Sequence, residues 1–220
     1  MKQIAHIVTD FDDKFGIPRQ SGLAPALEGR IIFEPEYRVA EALRGLEGFS
    51  HIWLIWDFSE AHRPQWSPTV RPPRLGGNVR MGVFATRSPF RPNPIGLSCV
   101  EIAGIDLHTA DGPVIYVKGA DLKNGTPIFD IKPYVPVADC HIEARGGFSE
   151  QTRNAPELEV EFDEAIAKQF PGDKLDALRQ VLAQDPRPHY HQDSGRLYGM
   201  TFAGVNLHFF ADDGKLKVIP

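Results

Sequence analysis

RMGVFATRSPFRPNPIGLS, residues 80–98, is the stretch on which the reading of this chain turns. Residues 79–85 are an apolar run that reads as a short strand, and a second strand leaves at Ile95. The turn between them holds Arg87 and Arg91, spaced by Ser88-Pro89-Phe90 and followed by Pro92-Asn93-Pro94. Proline fixes φ and removes a backbone donor, so this connection is stiff. A stiff loop that presents guanidinium groups suits a planar carboxylate or phosphate. A solvated turn whose arginines pair with surface acids fits the loop alone equally well.

Outward from this loop the strand signals recur. Residues 4–9 and 29–33 read as strands, and residues 35–43 read as a helix with Pro35 in its first turn and Gly45 beyond its end. Residues 49–58, FSHIWLIWDF, are apolar at nearly every position, which predicts a strand buried on both faces. Residues 61–77 are proline-rich and irregular. Further strands are expected over 95–105, 113–119 and 127–131. Short strands with turn signals about every ten residues predict a compact β-barrel or sandwich over residues 1–138. Residues 139–156 read as a linker. Residues 159–170 and 173–183 show helical period, with Asp173 as N-cap and Pro186 as stop. Residues 197–210 and 216–219 return as strands. The fold class is therefore mainly β: a compact β-barrel or sandwich over 1–138, then a small α+β domain over 139–220 near the lower size limit for its own core.

Charge is unevenly spread. The net charge is −5, yet residues 61–100 hold six arginines and no acid, which leaves −11 for the rest. A basic segment in an acidic chain is an electrostatic footprint for phosphate. The acidic balance overall argues against tight non-specific nucleic-acid binding and permits recognition of a particular RNA. No apolar run reaches the length of a membrane span, and residues 1–16 lack the pattern of a signal peptide. Cys99 and Cys140 have no metal spacing. Two isolated thiols point to a reducing, cytoplasmic setting.

Generic catalytic signatures are missing. Gly76, Gly77 and Gly82 have the wrong spacing for a dinucleotide-binding turn, and no Walker loop or Gly-x-Ser-x-Gly elbow occurs. His189-x-His191 lacks a third ligand, so no metal site is expected. The residues by themselves leave a small-molecule-binding or RNA-binding β-protein.

Six runs taken together go further. They are PRQSG (18–22), LRGLEGFSHIWLIW (43–56), RPPRLGG (71–77), MGVFATRSPFRPNPIGLS (81–98), NGTPIFDIKPYVP (124–136) and QDPRPHY (184–190). In this order the chain resembles the TsaA/TrmO-like tRNA methyltransferases over nearly its whole length. The resemblance implies an S-adenosylmethionine-dependent, homodimeric enzyme built on a β-barrel. It implies methyl transfer to N6 of threonylcarbamoyladenosine beside the tRNA anticodon. By the family pattern the cofactor contacts are Pro18, Arg19, Gln20, Ser59, Glu60, Arg87, Leu97 (beneath the mouth), Gly125, Thr126, Pro127 and Ile128. Arg91 and Asn93 are placed for phosphate, substrate or dimer contact. Asp185 is the candidate general base, with a cap or a pair to Arg187 as its plain alternative. Arg187 and Tyr190 are expected to meet tRNA. The chain departs from the family at Asn124, where an aspartate is common, and at Ser59-Glu60. Two other readings stay open: a non-catalytic RNA-binding barrel, and a methyltransferase acting on a small molecule.

Overall fold

A computed structural model of the protein describes residues 1–72, 75, 79–152, 157–188, 195–212 and 214–220. Among the described residues eight strands lie in the first part of the chain: β1 Ala5–Val8, β2 Glu28–Phe33, β3 His51–Asp57, β4 Thr69–Val70, β5 Met81–Gly82, β6 Ile95–Thr109, β7 Gly112–Lys118 and β8 Pro127–Pro133. Six of them close into an antiparallel barrel in the order β1-β2-β7-β6-β3-β8. Alternate residues point inward, as the pleat requires. Ile7, Ile31, Ile52, Leu54, Val100, Ile115, Val117 and Ile128 fill the interior.

β3 differs from its expected double burial. Ile52, Leu54 and Trp56 face in, while His51, Trp53, Ile55 and Asp57 are half-buried on the outside. The chain after β8 covers part of that outer face: Trp53 Nε1 donates to Asp139 Oδ2 at 3.1 Å, and its ring lies 5.8 Å from Tyr134. Asp139 belongs to a single helical turn, α1 Pro136–Asp139. The helix expected over 35–43 is instead a series of 3-10 turns, Pro35–Tyr37, Ala40–Leu43 and Leu46–Gly48. Arg38 breaks it by turning its Nε to the Phe33 carbonyl at 2.9 Å. The strand expected over 79–85 shrinks to β5, which pairs with β4 and runs into a 3-10 turn over Val83–Ala85.

The second part of the chain forms a four-stranded sheet, β10-β11-β12-β9, from β9 Glu159–Phe162, β10 Tyr198–Phe202, β11 Val205–Asp212 and β12 Lys215–Ile219. The helix expected over 159–170 is replaced by β9 and a short turn of helix, α2 Glu164–Ala167. Leu158, Val160 and Phe162 alternate with glutamates, and a period of two wins over the helical reading. β9 runs parallel to β12, so Glu159 and Glu161 meet Lys215 at 3.3 and 2.6 Å. α3 Gly172–Ala183 presses Ala177, Leu178, Val181 and Leu182 onto the sheet, with Pro171, not Asp173, at its N-cap.

Strand polarity decides which loops meet. The ends of β1, β3 and β7 and the starts of β2, β6 and β8 lie at one rim of the barrel. The loops 9–27, 58–94 and 119–126 therefore share that rim. The C-terminal sheet docks there too. Phe11, Ala24 and Leu27 join its core, and Phe11 meets Phe202 edge-on at 5.3 Å. Lys174 bridges to Asp10 at 2.7 Å, and Ala26 N donates to Gln180 Oε1 at 2.9 Å.

Candidate active site at the barrel rim

The PRQSG segment is locked to the end of β7. Gly22 N donates to the Gly119 carbonyl at 2.9 Å. Gly119 has φ +71, and a Cβ there would lie 3.2 Å from the Gly22 backbone, so this crossing is built for glycine. Asp121, two residues on, gathers four segments. Its Oδ1 accepts from Ser98 Oγ at 2.6 Å, and Ser98 Oγ accepts from Trp56 Nε1 at 3.0 Å. The Ser21 backbone also donates to it, and the Arg87 guanidinium is close enough to act on its charge. Burial pushes the Asp121 carboxyl up, against the pull of the Ser98 hydroxyl and of Arg87. Arg87 Nη1 in turn donates to Gln20 Oε1 at 2.5 Å. Gln20 and Arg87, 67 residues apart, thus meet above a half-buried carboxylate.

A second cluster clamps the same rim. Glu60 Oε2 lies 2.8 Å from Lys14 Nζ, and its Oε1 lies 2.6 Å from Lys123 Nζ. These two ammonium groups bring the Glu60 carboxyl down to about 2. Its charge is therefore engaged in tying three loops together. Asn124 continues the clamp: its amide Nδ2 donates to Asp12 Oδ1 at 3.0 Å, and its Oδ1 accepts from Thr9 N at 3.3 Å. An aspartate here would set a second carboxylate against Asp12. Gly125, at φ +77, donates to the Ile7 carbonyl at 2.8 Å. Thr126 is buried, and its hydroxyl donates to the Lys123 carbonyl at 2.7 Å. The Ile128 side chain is in the barrel core and its carbonyl accepts from Ile4 N at 2.8 Å, so it presents no side chain to the rim.

The remaining expected residues separate. Pro18 is buried below the exposed Arg19, and Ser59 is exposed where β3 ends. Pro127 opens β8 and is half-buried. Leu97 is on the outer wall beside Ile95, not beneath the mouth, because its neighbours Gly96 and Ser98 are the inward residues of β6. Arg91 turns back on its own loop, Nη1 donating to the Thr86 carbonyl at 2.9 Å. Asn93 is exposed, and its carbonyl accepts from Ile95 N at 2.8 Å. Asp185, at φ +50, forms a two-pronged pair with Arg187: Nε to Oδ1 at 2.7 Å and Nη2 to Oδ2 at 2.8 Å. Such a fork uses both carboxylate oxygens. A cleft of about 120 Å³ brings Asp185 and Pro186 against Gly16, Pro18 and Arg19. Tyr190, His189 and His191 lie outside the described residues.

Three residues of the node were not singled out by the sequence: Asp121 lies outside the quoted runs, and Trp56 and Ser98 only end them. Asp121 reads as a turn residue, and Trp56 and Ser98 read as strand positions. The usable signal is Gly96, an inward glycine at the start of a long strand. It lies opposite Trp56, and a Cβ on it would come within 2.1 Å of the indole.

The donor set fits S-adenosylmethionine. Arg87 and Arg19 offer guanidinium groups for a carboxylate, Gln20 offers an amide, and Asp121 offers carboxyl oxygens beside them. Residues 6–140 match the tRNA-methyltransferase O N-terminal domain, and residues 155–220 match the TrmO C-terminal domain. The chain belongs to the tRNA-methyltransferase O family. It is 41% identical over 226 residues to the tRNA (adenine(37)-N6)-methyltransferase of Escherichia coli (strain K12), with 99% of this chain and 95% of that protein covered. It is 36% identical over 163 residues to a probable S-adenosyl-L-methionine-binding protein of Pyrococcus abyssi, covering 74% of this chain and 82% of that one. A crystal structure of TrmO from Pseudomonas aeruginosa superposes with a TM-score of 0.77 at 34% identity, over 99% of this chain and 95% of that chain. The closed barrel and the docked C-terminal sheet are thus the architecture of this family.

Proposed function

We propose that the protein methylates N6 of the adenine at tRNA position 37, with S-adenosylmethionine as donor and threonylcarbamoyladenosine as the target nucleoside. The observation that carries this is the Gln20–Arg87–Asp121 node, set at the rim where the family's loops converge. S-adenosylmethionine supplies a methyl group on a sulfonium, so the protein's main task is to orient the nucleophile. Arg87 and Arg19 hold the cofactor carboxylate, and Gln20 holds Arg87 in place. Gly125 to Pro127 and Ser59 present their edges to the same mouth, and Glu60 fixes the loops that carry them.

The target nitrogen must lose its proton as the N–CH3 bond forms. Asp185 has both oxygens engaged by Arg187, whereas burial raises the basicity of Asp121. Proton uptake is therefore assigned to Asp121, and the Asp185–Arg187 fork to holding the cleft and facing tRNA. Arg91 rigidifies the loop that presents Arg87, and the exposed Asn93 is assigned to the RNA. A second copy of the chain is supported by the apolar outer wall formed by Trp53, Ile55, Ile95, Leu97 and Cys99, with Val137 and Ile142 nearby in sequence to its covering segment. Both cysteines are free, in keeping with a reducing cytoplasm. Among the described residues no helix is long and apolar enough to cross a membrane.

The test is mass spectrometry of nucleosides from tRNA incubated with the protein and a methyl-labelled cofactor. Label on threonylcarbamoyladenosine is expected. Label on a small molecule only, or no cofactor binding at millimolar concentration, would remove this reading.

A further inference from the structure

The loop between β3 and β6 carries a surface that the methyl-transfer chemistry leaves unused. The two-residue ribbon of β4 and β5 places the residue before β4 against the turn after β5: Val83 N donates to the Pro68 carbonyl at 2.9 Å. As a result Trp66 and Phe84 stand side by side, ring centroids 6.0 Å apart, with Trp66 51% and Phe84 71% exposed. Arginines are interleaved with them. The Arg63 guanidinium lies 3.7 Å over the exposed Phe90 ring, and Arg91 lies 5.9 Å from Phe84. Arg80 reaches Thr69 Oγ1 at 3.4 Å.

Residues 61–100 hold no acid, so the arginines of this loop have no carboxylate of their own segment to pair with, whereas many lysines elsewhere do pair. Lys14, Lys123, Lys132, Lys168, Lys174, Lys215 and Lys217 each pair with a carboxylate. Among the described residues Arg63, Arg71, Arg80, Arg87 and Arg91 have no salt bridge. Arg63 and Arg91 face rings, Arg91 a carbonyl and Arg80 a threonine hydroxyl, and only Arg87, on Gln20, is also near a carboxylate, Asp121. Exposed aromatics beside uncompensated guanidinium groups match an unpaired nucleic-acid strand, whose bases stack while its phosphates take the charge. A protein partner needs no such excess of one sign. The surface is also continuous with the active site, since Arg91 binds the Thr86 carbonyl next to Arg87.

We propose that Trp66 and Phe84 are a stacking platform for unpaired RNA bases that flank the target nucleotide, with Arg63, Arg71 and Arg80 on the adjoining phosphates. This rests on the tRNA reading above and names the residues by which that RNA is held. Bases splayed onto the platform leave the neighbouring nucleotide free to enter the mouth at Arg87.

The test uses the full chain and an anticodon stem-loop RNA, followed by fluorescence anisotropy against salt. Trp66→Ala and Phe84→Ala are each expected to weaken binding by roughly five- to 150-fold, from the usual worth of one stacked base. Trp66→Phe should retain most of the affinity. Arg63→Gln should lower the slope of log affinity against log salt by about 0.7–0.9. Calorimetric affinity for S-adenosylmethionine should stay at the wild-type value. Unchanged RNA binding in both alanine variants overturns the platform, and so does a halved mass in sedimentation, which would give this surface to a second copy. Failure of the unaltered protein to bind the stem-loop would instead remove the tRNA reading itself.

Discussion

Asp121 carries two opposed demands. Burial raises its folded pKa above the unfolded value, so the native state holds the proton more tightly than the unfolded one. The stabilising contribution of that proton is complete below the unfolded pKa and is lost as pH rises through the folded one. Asp121→Asn removes the ionisation and keeps an oxygen for Ser98. We expect the variant to melt at or above the wild-type temperature at neutral pH, with the gap closing as the solution is acidified. We expect methyl transfer to fall by about 10²–10⁴-fold if the carboxylate takes the proton. The acid limb of the wild-type rate profile, where rate rises with pH, should vanish. Asp185→Asn at saturating tRNA separates the two carboxylates: if it loses the limb and Asp121→Asn keeps it, the assignment is reversed. Little of this was visible in the chain. Arg87 and Gln20 announce themselves through proline-rich runs, but Asp121 gains its role from Ser98, Trp56 and Ser21, which only the barrel register brings to it.

At the scale of elements, β3 and β6 are joined by one shape match. Trp56 and Gly96 are directly opposed, and the indole occupies the space where a side chain on β6 would stand. Gly96→Ala forces a methyl into that ring system. Overpacking of this kind costs about 1–3 kcal/mol, and here it also displaces the donor to Ser98. A lowered melting temperature together with weaker cofactor binding is expected. A variant with wild-type cofactor affinity would show that the Trp56–Ser98–Asp121 chain does not reach the mouth. The barrel itself was readable because its strands alternate or carry apolar runs bounded by turn residues. The reading failed where two periods competed. Over Glu159–Phe162 the alternation of Leu158, Val160 and Phe162 was masked by the helical spacing of the residues that follow. In residues 79–85 the apolar composition predicts one strand, but only Met81 and Gly82 find a partner strand and Val83–Ala85 close into a 3-10 turn.

The whole molecule is tied together at the same rim that holds the site. Phe11 is nearly fully buried, and it leaves the barrel to pack among Phe202, Leu207 and the helix α3. Lys174, at the start of that helix, closes on Asp10 in the same loop. The 9–27 loop therefore has two faces, one completing the C-terminal core and the other presenting Pro18, Arg19 and Gln20. This makes deletion of residues 139–220 a poor test of tRNA dependence, since it would strip Phe11, Ala24 and Leu27 of their cover. Phe11→Ala is the sharper probe. Loss of a buried phenyl ring costs about 3–5 kcal/mol, and the loss falls on the contact between the two parts. Hydrogen exchange should then rise both in β10–β11 and in the 18–22 segment, with cofactor affinity falling in parallel, while the far end of the barrel at the β6–β7 hairpin stays protected. Increased exchange confined to β10–β11, with unchanged cofactor binding, would show that the C-terminal sheet is docked without supporting the mouth.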